Sequence, residues 1–360
     1  MGIKNDVFGL EQVYRLQVEG SWSVKNDVWL ASSPFSSPAP TRLSTVDRID
    51  YSNDTASAVV KGPLSAGRGM LAATGNSSFG YFAGGESPSD VSTIDRIDYS
   101  NDTATASPRG PLNFAKHGMG GTGNSSFGYF GGSYPATSRV ERVEYANDTP
   151  TASIKGPLTA VRAYVAATGN ADFGYFGGEY PAKSTVDRID YSNDTATAAE
   201  KGPLSASFGY FGSTGNADFG YFAAGGPSSS SVDRISYSND TATASPKGPL
   251  SQARARTEGA SSTTGGYIAG GSGLKSIVDR IDYSNDTATA STKGPLAANR
   301  YNHGMASSRS NAIPATTLIN YAAGTTGTSN MGYFGGGNYS GLSKVDRVDY
   351  SNDTATATTK

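Results

Sequence analysis

The residues best equipped for chemistry lie in one phrase that recurs along the chain. Val46-Asp47-Arg48-Ile49-Asp50-Tyr51-Ser52-Asn53-Asp54-Thr55 returns at 94–103, 140–149, 186–195, 232–241, 278–287 and 345–354. Its period-2 alternation marks a strand, with Asp47, Ile49 and Tyr51 on one face and Val46, Arg48 and Asp50 on the other. An arginine packed between sheets needs an anionic partner. Arg48, Arg96, Arg142, Arg188, Arg234, Arg280 and Arg347 therefore read as a repeated structural ion pair, within or between units. The candidate partners are Asp50, Asp98, Glu144, Asp190, Asp282 and Asp349. Ligand binding by these arginines is the alternative, but a feature present in every repeat argues poorly for a single active site.

Other chemistry is sparse. There is no cysteine, so disulfides, thiolate metal sites and thiol nucleophiles are excluded. The two histidines, His117 and His303, occupy aligned repeat positions. Clustered histidine ligands and histidine-based triads are thus nearly excluded. Asn-Asp-Thr occurs seven times and matches a glycosylation acceptor. It sits where a turn is needed, and Asn and Asp favour such backbone. The same oxygens could hold Ca2+, although the ligand density of a calcium loop is missing. Glu141, Glu144 and Glu179 depart from the repeat but form no obvious acid pair. The glycines of Gly-Asn-Ser-Ser-Phe-Gly-Tyr-Phe lack the spacing of a dinucleotide or phosphate loop. No cofactor and no enzymatic activity are expected.

Formal charge is −2, with no basic block to suit a nucleic acid. No run of about 18 apolar residues suggests membrane insertion, and no signal peptide is visible at Met1. Glycine is abundant, 46 of 360 residues, yet aromatics reach 10 %, which disordered chains lack.

The elements that must position these residues are short strands. The first acidic residue of the phrase falls at 47, 95, 141, 187, 233, 279 and 346, at intervals of 48, 46, 46, 46, 46 and 67. Some 21 residues are thus inserted in the last repeat, near 306–326. Phe79-Gly80-Tyr81-Phe82-Ala83-Gly84-Gly85 precedes the second copy and has counterparts before the later ones. Val28-Trp29-Leu30-Ala31 is its degenerate form in the first. Lys61-Gly62-Pro63-Leu64 recurs after the turn. Four strands per unit and a period near 46 indicate an all-β chain with almost no helix, folded as a β-propeller. Counting third strands predicts seven four-stranded blades: 11–63, 64–111, 112–157, 158–203, 204–249, 250–295 and 296–360. The first would take its innermost strand from Val13–Val18, closure would come from packing of blade 7 on blade 1, and residues 1–10 would form an arm.

The glycine doublets Gly84-Gly85 and Gly131-Gly132, followed by Tyr99 and Tyr145, resemble the kelch repeat. Kelch repeats place a tryptophan after that tyrosine, whereas this chain has Ala104-Thr105-Ala106. The phrase Asp-Arg-Ile-Asp-Tyr-Ser-Asn-Asp-Thr-Ala-Thr-Ala-Ser with Lys-Gly-Pro-Leu is similar to propeller proteins of marine bacteriophages. That resemblance implies a structural or interaction protein of a virus particle, assembled in the host cytoplasm and carried in the tail region. Its partners would be other virion proteins, including copies of itself in a ring. Idiosyncratic segments on a rigid scaffold are where contacts concentrate, which singles out Trp22, Trp29, Phe35, Phe208, Tyr210, Asn311, Leu318 and Tyr321. The alternative is a lectin-like module binding a host glycan. It requires aromatic side chains at the surface, and alternation predicts that most of the Phe-Gly-Tyr-Phe residues are buried.

Overall fold

A computed structural model of the chain describes residues 27–36, 41–308, 325–328, 331–335, 345–349 and 358–359. The described residues are all-β apart from four single turns of 3-10 helix, at Tyr51–Asn53, Tyr99–Asn101, Tyr191–Asn193 and Tyr237–Asn239. No helix among them is long and apolar enough to cross a membrane. The chain divides into two compact units, Met1–Pro314 and Ala315–Lys360.

The first unit is a β-propeller of six four-stranded antiparallel blades. From innermost to outermost strand, the second blade is Ala72–Gly75, Phe79–Ala83, Ile94–Asp98 and Ser107–Arg109. The third is Gly120–Gly123, Phe127–Gly131, Val140–Glu144 and Ser153–Lys155. The fourth is Ala166–Gly169, Phe173–Gly177, Val186–Asp190 and Ala199–Lys201, and the fifth Gly212–Gly215, Phe219–Ala223, Val232–Ser236 and Ser245–Pro246. Glu258–Ser261, Gly265–Ala269, Val278–Asp282 and Ser291–Thr292 make the sixth.

The first blade corrects the expectation of seven blades closed by packing. Its second, third and fourth strands are Asp27–Ser36, Thr41–Asp50 and Val59–Lys61, but its innermost strand is Gly304–Ser307. Register pairs Val28 with Ser307, Trp29 with Ala306, Leu30 with Met305 and Ala31 with Gly304. Gly75, Thr74, Ala73 and Ala72 pair in the same way with Gly80, Tyr81, Phe82 and Ala83. The ring therefore closes through a shared blade. Val13–Val18 and the arm 1–10 lie outside the described residues. The expected insertion falls between two copies of the innermost strand, and third strands alone cannot reveal that. The later copy, Thr325–Thr328, begins a separate sheet in the second unit with Met331–Gly335, Val345–Asp349 and Thr358–Thr359.

Blades cohere through repeated contacts. The second-strand aromatic of each blade stacks on the tyrosine that follows the third strand of the next. Trp29 lies 3.7 Å from Tyr99, Tyr81 4.8 Å from Tyr145, and Tyr267 4.5 Å from Tyr51 across the closure. Offset stacking of this kind adds about 0.5–1.5 kcal/mol beyond burial. The glycine of Lys-Gly-Pro-Leu permits the outer approach. A Cβ at Gly110 would lie 1.8 Å from the Pro150 carbonyl oxygen, and Gly294 meets Ala56 in the same way at the closure.

The repeated arginines bridge blades. Arg96 Nη1 donates to Asp148 at 2.8 Å, Tyr81 Oη donates to the same oxygen at 2.9 Å, and Arg109 Nε lies 3.6 Å away. Arg142, Arg188 and Arg234 hold Asp194, Asp240 and Asp286 at 2.7 Å, joined by Lys155, Lys201 and Lys247. Arg48 and Lys61 hold Asp102, where the Trp29 indole N–H replaces the phenol. Arg280 and Lys293 reach Asp54 across the closure. The partner is thus the aspartate of the next blade's Asn-Asp-Thr turn and not the acid two residues along the strand. Asp50, Asp98, Asp190 and Asp282 instead cap their own turns, accepting from the backbone and hydroxyl of Ser52, Ser100, Ser192 and Ser284. Those hydrogen bonds hold the Asp190 and Asp282 carboxyls below the usual range. Glu144 is exposed. The side chains of Arg347 and Asp349 lie outside the described residues.

A second set of ion pairs sits inside five of the six blades, on the first acidic residue of the phrase. Arg68 meets Asp95 at 2.9 Å, Arg162 meets Asp187 at 3.0 Å, and Arg254 meets Asp279 at 2.8 Å. Across the closure Arg300 reaches Asp47 at 2.8 Å. In the third blade both partners change together, to Lys116 and Glu141 at 2.9 Å, the longer acid compensating for the slimmer base. Burial pushes the Lys116 ammonium down while Glu141 pulls it back up. The fifth blade breaks the series. Phe208 replaces the cation, and Asp233 keeps only Ser205, whose backbone N–H and hydroxyl donate at 2.6 Å. Burial raises the Asp233 carboxyl against those hydrogen bonds.

Candidate functional site

Just before each innermost strand the chain makes an unusual bend. Met70, Gly118, Tyr164, Tyr210, Arg256 and Asn302 occupy the same repeat position, and all six have φ between 51° and 65°. A left-handed backbone costs roughly 1–2 kcal/mol for a residue with a Cβ. The compensation is tangential hydrogen bonding around the channel. Met70 N–H donates to Asn302 O at 2.8 Å, Gly118 to Met70 at 2.9 Å and Tyr164 to Gly118 at 2.8 Å. Arg256 donates to Tyr210 at 2.6 Å and Asn302 to Arg256 at 3.1 Å. These residues form a collar at one end of the channel. Strain concentrated in this way marks sites held for function.

The collar is also a position where the repeats differ. Strand phrases barely change from blade to blade, whereas this position carries Met, Gly, Tyr, Tyr, Arg and Asn. Collar side chains enclose a cavity of about 30 Å³ with Leu71, Met119, Val165, Phe211, Thr257 and Glu258 beneath them. That is room for one or two water molecules or the tip of a ligand group. Glu258 stands where the other innermost strands have Ala72, Gly120, Ala166, Gly212 and Gly304. It is partly buried, and desolvation pushes its carboxyl well above the usual range.

Around the collar lies an aromatic rim. The Tyr164 and Tyr210 rings are 4.4 Å apart, Tyr180 lies 5.0 Å from Tyr210, and Tyr134 lies 5.9 Å from Tyr164. Gly118 makes room for this: a Cβ there would come within 2.7 Å of the Tyr164 ring. Tyr134 and Tyr180, from loops after the second strands, are 51 % and 57 % exposed. His117 fastens the cluster, with Nδ1 2.7 Å from Asp90 and Nε2 3.0 Å from the Tyr164 hydroxyl. The Arg256 guanidinium carbon lies 5.1 Å from the Tyr210 ring centroid and 5.7 Å from that of Tyr301. Burial raises the Tyr164 and Tyr210 phenols, so both keep their protons and can donate.

Of the residues expected to make partner contacts, Tyr210 alone lines this cavity among those whose side chains are described. Trp29 is fully buried in the blade interface, and Phe208 is buried at the vacant cation position. Phe35 lies on the strand Asp27–Ser36, its side chain outside the described residues, as are Trp22, Asn311, Leu318 and Tyr321. His303 does not share the repeat position of His117, contrary to the alignment expected from sequence: His117 precedes the collar residue Gly118, whereas His303 follows the collar residue Asn302. His303 is wholly buried, both ring nitrogens lack a partner, and burial together with Arg300 pushes its pKa down to about 3. The turn carboxylates considered for Ca2+ are already held by arginine and lysine. Apart from Tyr210, the collar lies outside the idiosyncratic segments, and its signal in the sequence is a column of differing residues within an otherwise constant repeat. Neither a known family model nor a curated protein sequence matches the chain.

Proposed function

We propose that this chain is a non-catalytic binding propeller that recognises carbohydrate at its tyrosine-rimmed channel mouth, and that it serves a bacteriophage particle, in the tail region, in attachment to the host surface. The observation that carries the carbohydrate reading is the cluster of Tyr134, Tyr164, Tyr180 and Tyr210. It offers apolar ring faces together with hydroxyls, the combination that stacks on and hydrogen-bonds to a sugar. The Phe-Gly-Tyr-Phe aromatics support no such role. Tyr81, Tyr129, Tyr175 and Tyr221 are fully buried, and the partly buried Phe79, Phe127, Phe173 and Phe219 are capped by arginines at 4.2–4.3 Å. The proposal is therefore one site at the channel mouth and not one per blade. The particle setting and a kelch-type ancestry rest on the resemblance of the repeats.

A glycan array probed with the chain tests the binding. Wild type should retain a defined set of saccharides, and the double substitution Tyr134→Ala with Tyr180→Ala should release them without lowering the melting temperature. An array on which wild type retains nothing, or retention that survives the double substitution, refutes the site. Mass spectrometry of purified virions tests the setting, a fixed stoichiometry being the expected result.

A further inference from the structure

We infer that the sugar bound at the channel mouth carries a carboxylate, and that Arg256 and Asn302 recognise it. This rests on the carbohydrate reading above and names the class of saccharide.

The arginines inside the blades and those between them each meet an acid. Arg256 has no carboxylate partner among the described residues and stands between two tyrosine rings instead. Acids of the surrounding loops are engaged elsewhere, Glu86 by Arg42, Asp90 by His117 and Glu179 by Lys183. Asn302 is the next collar residue, joined to Arg256 through its backbone at 3.1 Å. Its side chain is 9 % exposed and lines the same cavity, yet its amide nitrogen has no acceptor. A buried donor without an acceptor carries its full desolvation penalty, so a ligand acceptor there recovers that loss. An unsatisfied amide and a planar cation without a carboxylate partner line one cavity, and together they match the two oxygens of a carboxylate. Tyr164 and Tyr210 then face the sugar ring. Glu258 is compatible with an incoming anion, because its desolvated carboxyl favours the neutral, donating form.

The test uses oligogalacturonate, oligoglucuronate and sialyllactose, each beside its carboxyl-reduced form, titrated calorimetrically into the full chain. At least one acid should bind ten-fold or more tighter than its reduced form. Arg256→Asn should abolish that preference by weakening the acid form ten-fold or more. Asparagine is chosen because Asn302 already holds this left-handed conformation in the next blade. Asn302→Gly, equally tolerant of the conformation, should weaken acid binding several-fold. Arg139→Asn, at an exposed arginine over Phe114 and outside the cavity, should change nothing. Equal binding of acids and reduced forms overturns the inference and leaves the carbohydrate reading standing. A preference that survives Arg256→Asn, or is lost equally in Arg139→Asn, also overturns it. Binding of poly-glutamate as tight as the best acid assigns the site to acidic protein chains and overturns it too. Failure of every saccharide to bind sinks the carbohydrate reading itself.

Discussion

The vacant cation position in the fifth blade makes a sharp prediction about two equivalent aspartates. Asp279 and Asp233 occupy the same place in adjacent blades, each essentially inaccessible. Asp279 faces Arg254 at 2.8 Å, with both side chains fully buried. Asp279→Asn strands that guanidinium without its anion, and breaking a buried pair costs about 3–5 kcal/mol. Asp233→Asn strands nothing, because Phe208 stands where the arginine would be, and the Ser205 hydroxyl can reorient toward the new amide. Its cost should stay within about 1 kcal/mol at neutral pH, because removal of an unpaired buried charge acts in the stabilising direction. For a ring of this size 1 kcal/mol moves the melting temperature by roughly 2–4 °C. Calorimetry should then show Asp279→Asn lowered by roughly 6–20 °C and Asp233→Asn hardly moved. The pH dependence has a definite sign. Burial raises the Asp233 pKa, so its contribution is fully present below the unfolded value and lost as pH rises through the folded one. Wild type should therefore lose ground to Asp233→Asn as pH climbs from about 4. Equal costs for the two substitutions would refute the reasoning.

Four further outcomes follow from the same geometry. Ala306 stands where Thr74, Thr122 and Thr168 bond the next blade's tyrosine, and the Tyr99 hydroxyl is left without a partner; Ala306→Thr should stabilise by about 1 kcal/mol in urea unfolding. His303→Leu should also stabilise, and below about pH 6.5 the wild type should fall behind it by about 1.4 kcal/mol per pH unit, because the unfolded chain takes up a proton that the folded imidazole, at about 3, refuses. Asp148→Ala releases Tyr81, Arg96 and Arg109 together and should cost about 3 kcal/mol or more, whereas Asp98→Ala loses a turn cap worth about 1 kcal/mol. Tyr180→Ala, at an exposed rim ring, should weaken saccharide binding several-fold by calorimetry with no change in melting temperature.

Much of this architecture is legible from residues alone. The period of 46, the Val-Asp-Arg-Ile-Asp alternation and the aromatic second strands specify antiparallel blades, because each strand's pattern is local. The repeated arginines are readable as structural for the same reason: seven copies cannot all be one site. Their partners are not readable. Asp98 is two residues from Arg96, yet it caps Ser100, while Asp148 lies 52 residues away and arrives only when the next blade packs. The cavity at the channel mouth is likewise assembled from residues some 46 apart, and each looks unremarkable in its own segment.

The number of blades shows where local information ends. Seven third strands are written in the chain, and the local pattern of each unit is enough to require a four-stranded sheet. Which innermost strand completes which sheet is a contest between Gly304–Ser307 and whatever else could pair with Val28–Ala31, decided by ring closure over nearly 280 residues. Closure satisfies the open edge of the first blade and brings Arg300 to Asp47 and Tyr267 to Asp54. Those contacts exist only in the assembled ring, so six blades, and the meeting of six collar residues of five types around one channel mouth, follow from ring closure and not from any local pattern.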